Sequence, residues 1–338
     1  MAGVFSNRRL RFAAIFSLYT LHADGQKIFK NMNTFSKTGF CLQAVLTCSF
    51  VLIGIAVLHA QQDDLLSLLD EPMETEYATA SFKTTRVVNG HSIEHTGAGV
   101  LDFKISHRFS PLNNGLYDMF GLDGATIRIG LDYGITDRLM IGAGRNSKEK
   151  IYDGFIKYKV LRQSTGKRNM PISLSALVDA QIKTTRFEEP DRQNYFSSRL
   201  YYTFQMLLAR KFNDYLTLQL MPTLVHRNLV ATRAEKNDVY ALGVAGRIRL
   251  TRRVTLNAEY YYVLPDQVAP QYTNVLSLGF DIETGGHVFQ LHFTNSADMT
   301  YKGFITETTD RWFSSPNGIR FGFNISRVFT VVKPPEFR

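Results

Sequence analysis

The chain has 338 residues, with 39 Lys and Arg against 30 Asp and Glu, a formal net charge of +9 and two cysteines. Six of the basic residues (Arg8, Arg9, Arg11, Lys27, Lys30, Lys37) but a single acid, Asp24, precede residue 61, which leaves 33 against 29 in the remainder and takes away the basic excess that nucleic-acid binding needs. Cys41 and Cys48 fall in the same leading stretch, so a disulfide framework, a thiolate metal site and a cysteine nucleophile are excluded from everything after it.

In chain order, residues 1–31 read as an upstream extension, because Met32 offers a start that gives a leader of ordinary length. Lys37, the uncharged run 40–60 and the abrupt change to Gln61-Gln62-Asp63-Asp64 have the basic, apolar, small-residue order of a secretory signal peptide over 32–60. The same 21 residues are long enough to span a bilayer as an uncleaved anchor, which is the competing reading. Residues 61–76 set Asp63, Asp64, Asp70, Glu71, Glu74 and Glu76 around Leu65, Leu66, Leu68 and Leu69. That composition suits a solvated periplasmic tail, with docking to a periplasmic protein as the alternative. Residues 77–88 alternate weakly and would be an unpaired thirteenth strand, so 61–98 is read as an acidic periplasmic segment with a partial lumen plug.

From residue 99 the apolar residues recur every second position in runs of 9 to 12, broken by tight polar turns. In the hairpin around residue 251, Tyr240, Leu242, Val244, Ile248 and Leu250 share one face, and Ala241, Gly243, Ala245, Arg247 and Arg249 the other. Strands are expected near 99–108, 124–134, 137–146, 150–161, 171–183, 195–210, 214–226, 238–250, 253–264, 272–284, 287–295 and 318–331. Runs of that length exceed an ordinary sandwich strand and match a tilted strand crossing a bilayer. Short turns (134–137, 211–213, 251–252, 285–286) alternate with long polar loops (109–123, 184–194, 227–237, 265–271, 296–317), as periplasmic turns alternate with extracellular loops. Connections 147–149 and 162–170 break the rhythm. The expected fold is all-β: one antiparallel, up-and-down, twelve-stranded transmembrane barrel over 99–331, in the outer membrane, with a tail over 332–338.

Several runs carry a family likeness: Val87-Val88-Asn89-Gly90-His91-Ser92-Ile93, Ile105-Ser106-His107-Arg108-Phe109, Leu131-Asp132-Tyr133-Gly134-Ile135-Thr136-Asp137-Arg138-Leu139, Val225-His226-Arg227-Asn228 and Gly279-Phe280-Asp281-Ile282-Glu283-Thr284-Gly285-Gly286-His287. The chain resembles, over about 63–331, a family of outer-membrane β-barrel proteins of Gram-negative bacteria. The resemblance implies a barrel and an outer-membrane location. The family has no established activity, so it supplies no site residues.

The polar face therefore holds the candidate site. Alternation places Asp102, Lys104, Arg128, Asp132, Asp153, Lys157, Lys159, Asp179, Arg199, Arg247, Arg249, Glu259, Asp281, His292 and Arg320 toward the lumen. They would pair into a salt-bridged network filling a narrow barrel, or line a porin-like channel for small polar solutes, in which Lys157, Lys159, Arg247 and Arg249 favour anionic ones. An enzyme is not expected: Ser106 and His107 are sequence neighbours pointing to opposite faces, and no Gly-x-Ser-x-Gly elbow occurs. His91 and His95 have no third metal ligand at a supporting spacing, so no cofactor is expected. Tyr260-Tyr261-Tyr262, Tyr201-Tyr202, Tyr215, Phe212, Tyr272 and Phe329 read as interfacial girdle positions against outer-membrane lipid. Loop 296–317, with Trp312, Met299, Tyr301 and Phe304, is expected either to fold into the pore or to be a variable surface loop.

Overall fold

The computed structural model describes residues 74–187, 190–191, 193–233, 235–313 and 318–333. The expected extension, the signal peptide, the acidic run up to residue 73 and the chain from 334 on lie outside the described residues.

Twelve strands close into one barrel: β2 (Val100–Pro111), β3 (Ala125–Gly134), β4 (Leu139–Asn146), β5 (Ile151–Leu161), β7 (Ser173–Lys183), β8 (Leu200–Lys211), β9 (Leu216–Arg227), β10 (Asp238–Arg249), β11 (Val254–Val263), β12 (Val275–Thr284), β13 (His287–Thr294) and β14 (Arg320–Thr330). Every neighbouring pair is antiparallel, and β14 closes on β2 through pairs such as Ile325↔Ile105. Closure leaves no sheet edge, which is what allows strands to sit in lipid with every backbone group paired. Of the remaining strands, β1 (Thr75–Tyr77) precedes the barrel and pairs with β6 (Ser164–Gly166), which lies in the connection 162–170 that breaks the short-turn rhythm. Strand parity therefore holds at twelve. β8 starts five residues later than the alternation suggested, because Phe196–Arg199 forms a 3-10 turn ahead of it.

The periodicity left open which face is buried, and the barrel decides it. On β10, Tyr240, Leu242, Val244 and Ile248 are 41 to 51 % exposed, whereas Val239, Ala241, Ala245 and Arg247 are buried. Around the wall, Ile129, Leu131, Ile156, Phe204, Leu220, Phe280 and Leu291 face out, and Asp132, Asp153, Lys157, Gln219 and Asn257 face in. A protein dissolved in water buries the opposite set, so the exposed apolar band is the lipid contact. The Tyr260-Tyr261-Tyr262 run splits accordingly: its outer two rings are exposed, while Tyr261 points inward and is fully buried, not in the girdle. Tyr201 is likewise buried on the inner side.

Two segments fill the interior. Residues 78–98 enter at the short-turn end, where Lys211 Nζ donates to the Thr79 carbonyl at 3.1 Å. They rise to a tight turn closed by Val87 N–H to Gly90 O at 2.9 Å and descend again, with an antiparallel bridge between Arg86 and His91 and Ser92 N–H donating to Thr85 O at 3.0 Å. The descending arm runs past the β3–β4 turn into β2. A Cβ on Gly134 would stand 2.0 Å from the Gly97 carbonyl oxygen, so this close passage requires glycine there. From the long-loop end, residues 295–308 fold inward and carry helix α1 (Tyr301–Thr306), whose six residues are all buried. Phe82, Val87, Val88 and Ile93 from the first segment and Tyr301, Phe304 and Ile305 from the second join Met140, Phe155, Leu177, Leu207, Met221 and Tyr261 of the wall in one apolar cluster.

Candidate functional site

The inner wall is polar at almost every strand, and its charges are matched. Lys104 bridges Asp102 and Asp132, the latter at 3.2 Å, and Arg128 makes a two-point pair with Asp153, one arm from Nε to Oδ1 at 2.9 Å. Among the described residues, the buried acids are Asp102, Asp132, Asp153, Asp179, Glu235, Glu259, Asp281 and Asp298, and the buried bases are Arg86 of the inner hairpin with Lys104, Arg108, Arg128, Lys157, Arg227, Arg247 and Lys302: eight of each. Ions removed from water need such compensation, since an unpartnered charge at low dielectric is strongly unfavourable.

Not all wall charges pair with one another. Glu259 accepts backbone N–H groups from Val88, Asn89 and Gly90 at 3.2, 2.7 and 3.1 Å. Lys157 Nζ donates to the Ser92 carbonyl at 2.7 Å and to that of Glu94, and Arg247 to those of Ala80 and Ser81 at 2.8 and 3.2 Å. These charged groups hold the hairpin by its backbone. Side chains add fewer ties: Thr85 to Asp132 at 2.8 Å, Asn89 to Ser277 at 3.0 Å, and Lys83 to Glu283. The two inserted segments meet at the hairpin tip. There His91 Nδ1 and the Tyr301 hydroxyl lie 2.8 Å apart, and that hydroxyl also donates to Gln205 Oε1 at 2.8 Å.

The expected lumen residues divide by position. Arg128, Asp132, Asp153, Lys157, Arg247, Glu259, Asp281 and His292 are buried on the inner face. Lys159 and Arg249 lie half-buried near the short-turn rim, where Arg249 approaches Asp214 at 3.6 Å, and Arg320 sits near the other rim, paired with Asp310 at 2.7 Å. Arg199 is not on the wall. It belongs to the turn before β8, donates to the Lys183 and Thr185 carbonyls, and stacks over Phe187 at 3.7 Å. Alternation had extrapolated a strand through a turn that leaves the sheet.

Sequence reading passed over Arg108, Gln219, Gln290, Asn324 and Arg86. The first four continue the inward parity of their strands; Arg108 is the last residue of the expected strand 99–108, and the neutral amides carry no charge to single them out. At the long-loop mouth, Lys302 of α1 bridges Glu149 and Glu307, each at 2.6 Å, and Lys183 joins Glu149 at 2.7 Å. Burial alone would raise the Glu149 carboxyl, but Lys302 and Lys183 outweigh it and hold the group down at about 2. Burial raises Glu307 above its ordinary value despite Lys302. As to catalytic groupings, Ser277 Oγ bonds Thr294 Oγ1 at 2.9 Å, and His226 on the outer face bonds Asp238 and Asn228 at 2.6 and 2.9 Å. Among the described residues no hydrogen bond joins a serine hydroxyl to an imidazole, and no cluster of three His, Asp or Glu is placed to hold a metal.

Comparison with known proteins adds the family. A family model described as membrane bound beta barrel domain (DUF5777) matches residues 82–329. The chain belongs to that family. The DUF5777 match begins at Phe82, so it takes in most of the inner hairpin as well as the barrel. No curated protein matches the chain. Solved structures similar to it include the NanC porin (9 % identity, TM-score 0.42, 68 % of this chain and 98 % of that one) and the KdgM porin (10 %, 0.41, 68 % and 99 %). Another is an active-site mutant of outer membrane phospholipase A from Escherichia coli (12 %, 0.41, 74 % and 98 %).

Proposed function

We propose that this DUF5777 barrel resides in the outer membrane as a passive, porin-like conduit for small polar solutes, and that its resting state is closed by its own hairpin and inward-folded loop. The observation that carries this reading is the chemistry of the occluded wall. An interior built only to stay closed would leave few buried polar atoms unpaired, whereas this wall carries ions, amides and hydroxyls beside its apolar cluster. Several of them, including Thr203 Oγ1, Thr217 Oγ1, Gln219 Oε1 and Thr255 Oγ1, are buried without a hydrogen-bond partner. Such atoms are destabilising when dry and satisfied when water enters, so the polar wall suits a hydrated state in which the hairpin has withdrawn. Nearly equal numbers of buried acids and bases, eight against seven once Arg86 has left with the hairpin, argue for weak ionic selectivity, and any preference for anions comes from Lys159 and Arg249 at the short-turn rim. No catalytic step is proposed.

The alternative is a permanently closed barrel that serves as an interaction platform, coupled to a periplasmic partner through 61–76. Planar-bilayer recording separates the two. A Cβ on Gly90 would stand 2.0 Å from the buried Tyr261 hydroxyl, so Gly90→Val unseats the hairpin tip while leaving every wall residue in place. The wild type is expected to show rare openings and the variant sustained current. A folded variant as silent as the wild type would support the closed platform instead.

A further inference from the structure

From the way the lumen holds its own hairpin, we propose that it is a binding site for peptide backbone in a turned, irregular conformation, and that the solutes it admits include short oligopeptides. This rests on the conduit reading above and names its substrate class. The observation is the split between backbone and side-chain recognition. Between Ala80 and Glu94, wall side chains serve the carbonyls of Ala80, Ser81, Arg86, Val87, Val88, His91, Ser92 and Glu94 and the N–H groups of Val88, Asn89 and Gly90.

Seven wall residues do this, Arg108 among them through a 3.5 Å bond to the Val88 carbonyl. Arg247 and Lys157 cap carbonyls toward the two ends of the hairpin; Gln290 donates to Val87 O at 3.0 Å, Asn324 to Val88 O at 3.0 Å and Gln219 to His91 O at 2.8 Å, while Glu259 collects the three amides. They come from β2, β5, β9, β10, β11, β13 and β14, so the grip surrounds the chain and does not extend a single strand.

A buried chain in irregular conformation must find partners for its N–H and C=O groups, and a helix or complete hairpin ladder would supply them internally. Here the wall supplies them, with donors and an acceptor that meet main-chain atoms common to every peptide. The specificity is for the amide backbone; sugars offer hydroxyls and inorganic ions offer charge, and neither presents N–H and C=O groups in regular succession. Once the hairpin withdraws, the same seven groups face the lumen and can bond an incoming peptide in its place.

The test uses the full chain carrying Gly90→Val, whose wall is intact. Its probe is a fluorescent, end-blocked peptide with the sequence of residues 80–94, alongside a scrambled peptide of the same composition and a malto-oligosaccharide of similar mass. Anisotropy is expected to show binding of both peptides within tenfold of each other, with no competition by the saccharide. Lys157→Gln or Gln219→Ala in the same background is expected to weaken both peptides by about fivefold, the loss of one or two hydrogen bonds. Binding of neither peptide, or equal competition by the saccharide, would overturn the inference, as would affinity confined to the native order. Should Gly90→Val not fold, wild-type protein with millimolar end-blocked Gly/Ala/Ser peptide is expected to expose the hairpin to trypsin at Arg86; unchanged cleavage would count against it. If Gly90→Val conducts but binds no peptide, the conduit stands and the peptide site falls. If it binds peptide without conducting, the conduit falls and the binding site remains.

Discussion

Glu259→Gln tests the hold on the hairpin most directly. In the closed state one carboxylate oxygen accepts from Asn89 and the other from Val88 and Gly90. An amide keeps one acceptor oxygen and turns an NH2 group toward the remaining N–H donors, so one or two of the three bonds are lost and donors face each other. Hydrogen bonds to a charged group contribute roughly 1.5–3 kcal/mol net, and neutral replacements about 1. The hairpin should lose about 2–4 kcal/mol, which multiplies its opening equilibrium by roughly thirtyfold to several hundredfold. Hydrogen exchange reads this at the amides concerned: those of residues 88–90 should accelerate by that factor while the ladder amides of β3 and β12 keep their rates. A folded variant whose 88–90 amides exchange within threefold of wild type would refute the claim that this carboxylate retains the hairpin.

Other expectations follow from the same contacts. Tyr301→Phe removes the hydroxyl shared by His91 and Gln205 and should raise tryptic cleavage at Arg86 about tenfold, because loop and hairpin no longer secure each other. Arg128→Met leaves Asp153 buried beside Asp179 without its cation and should cost about 3–5 kcal/mol in unfolding measurements, much of it recovered by Arg128→Met with Asp153→Leu. Glu149 has a folded value depressed from 4.5 to about 2, so its stabilising contribution is present above 4.5 and is lost as pH falls from there toward 2. Glu307 is shifted the other way, and the destabilisation it brings at neutral pH is relieved on acidification. Exchange of the α1 amides should therefore rise below pH 4, and Glu149→Gln should show the raised rate already at pH 7. Gly134→Ala sets a methyl against the Gly97 carbonyl and should destabilise the entry of the hairpin into β2, seen as a lowered melting temperature.

The barrel was legible because its rule is local. Period-two alternation placed Lys157, Arg247 and Asp132 on the inner face without any knowledge of their neighbours, and it failed only where a residue was assigned to a strand the chain had left, as at Arg199, or where an aromatic run was read by composition and not by parity, as at Tyr261. The face exposed to lipid was not legible from alternation, since either face of such a strand can be the buried one; ring closure settled it. The hairpin was harder. Its backbone follows no period, and its partners lie far away in sequence, Glu259 standing 171 residues from Val88 and Asn324 236 residues from the carbonyl it caps. Such contacts depend on the closed wall being already in place, and no window along the chain contains both members.

The matched interior charges also give the closed state a restoring force. Arg86 is one of the eight buried cations and, among them, the one that travels with the hairpin; when it leaves, eight buried acids face seven buried bases and the interior is left with one uncompensated negative charge. The departing arginine remains covalently tethered to the mouth it came from, through the short stretch that leads into β2 at Val100, so its effective concentration there stays high however dilute the protein. An open barrel thus draws its own closing segment back, and does so more weakly as salt screens the attraction.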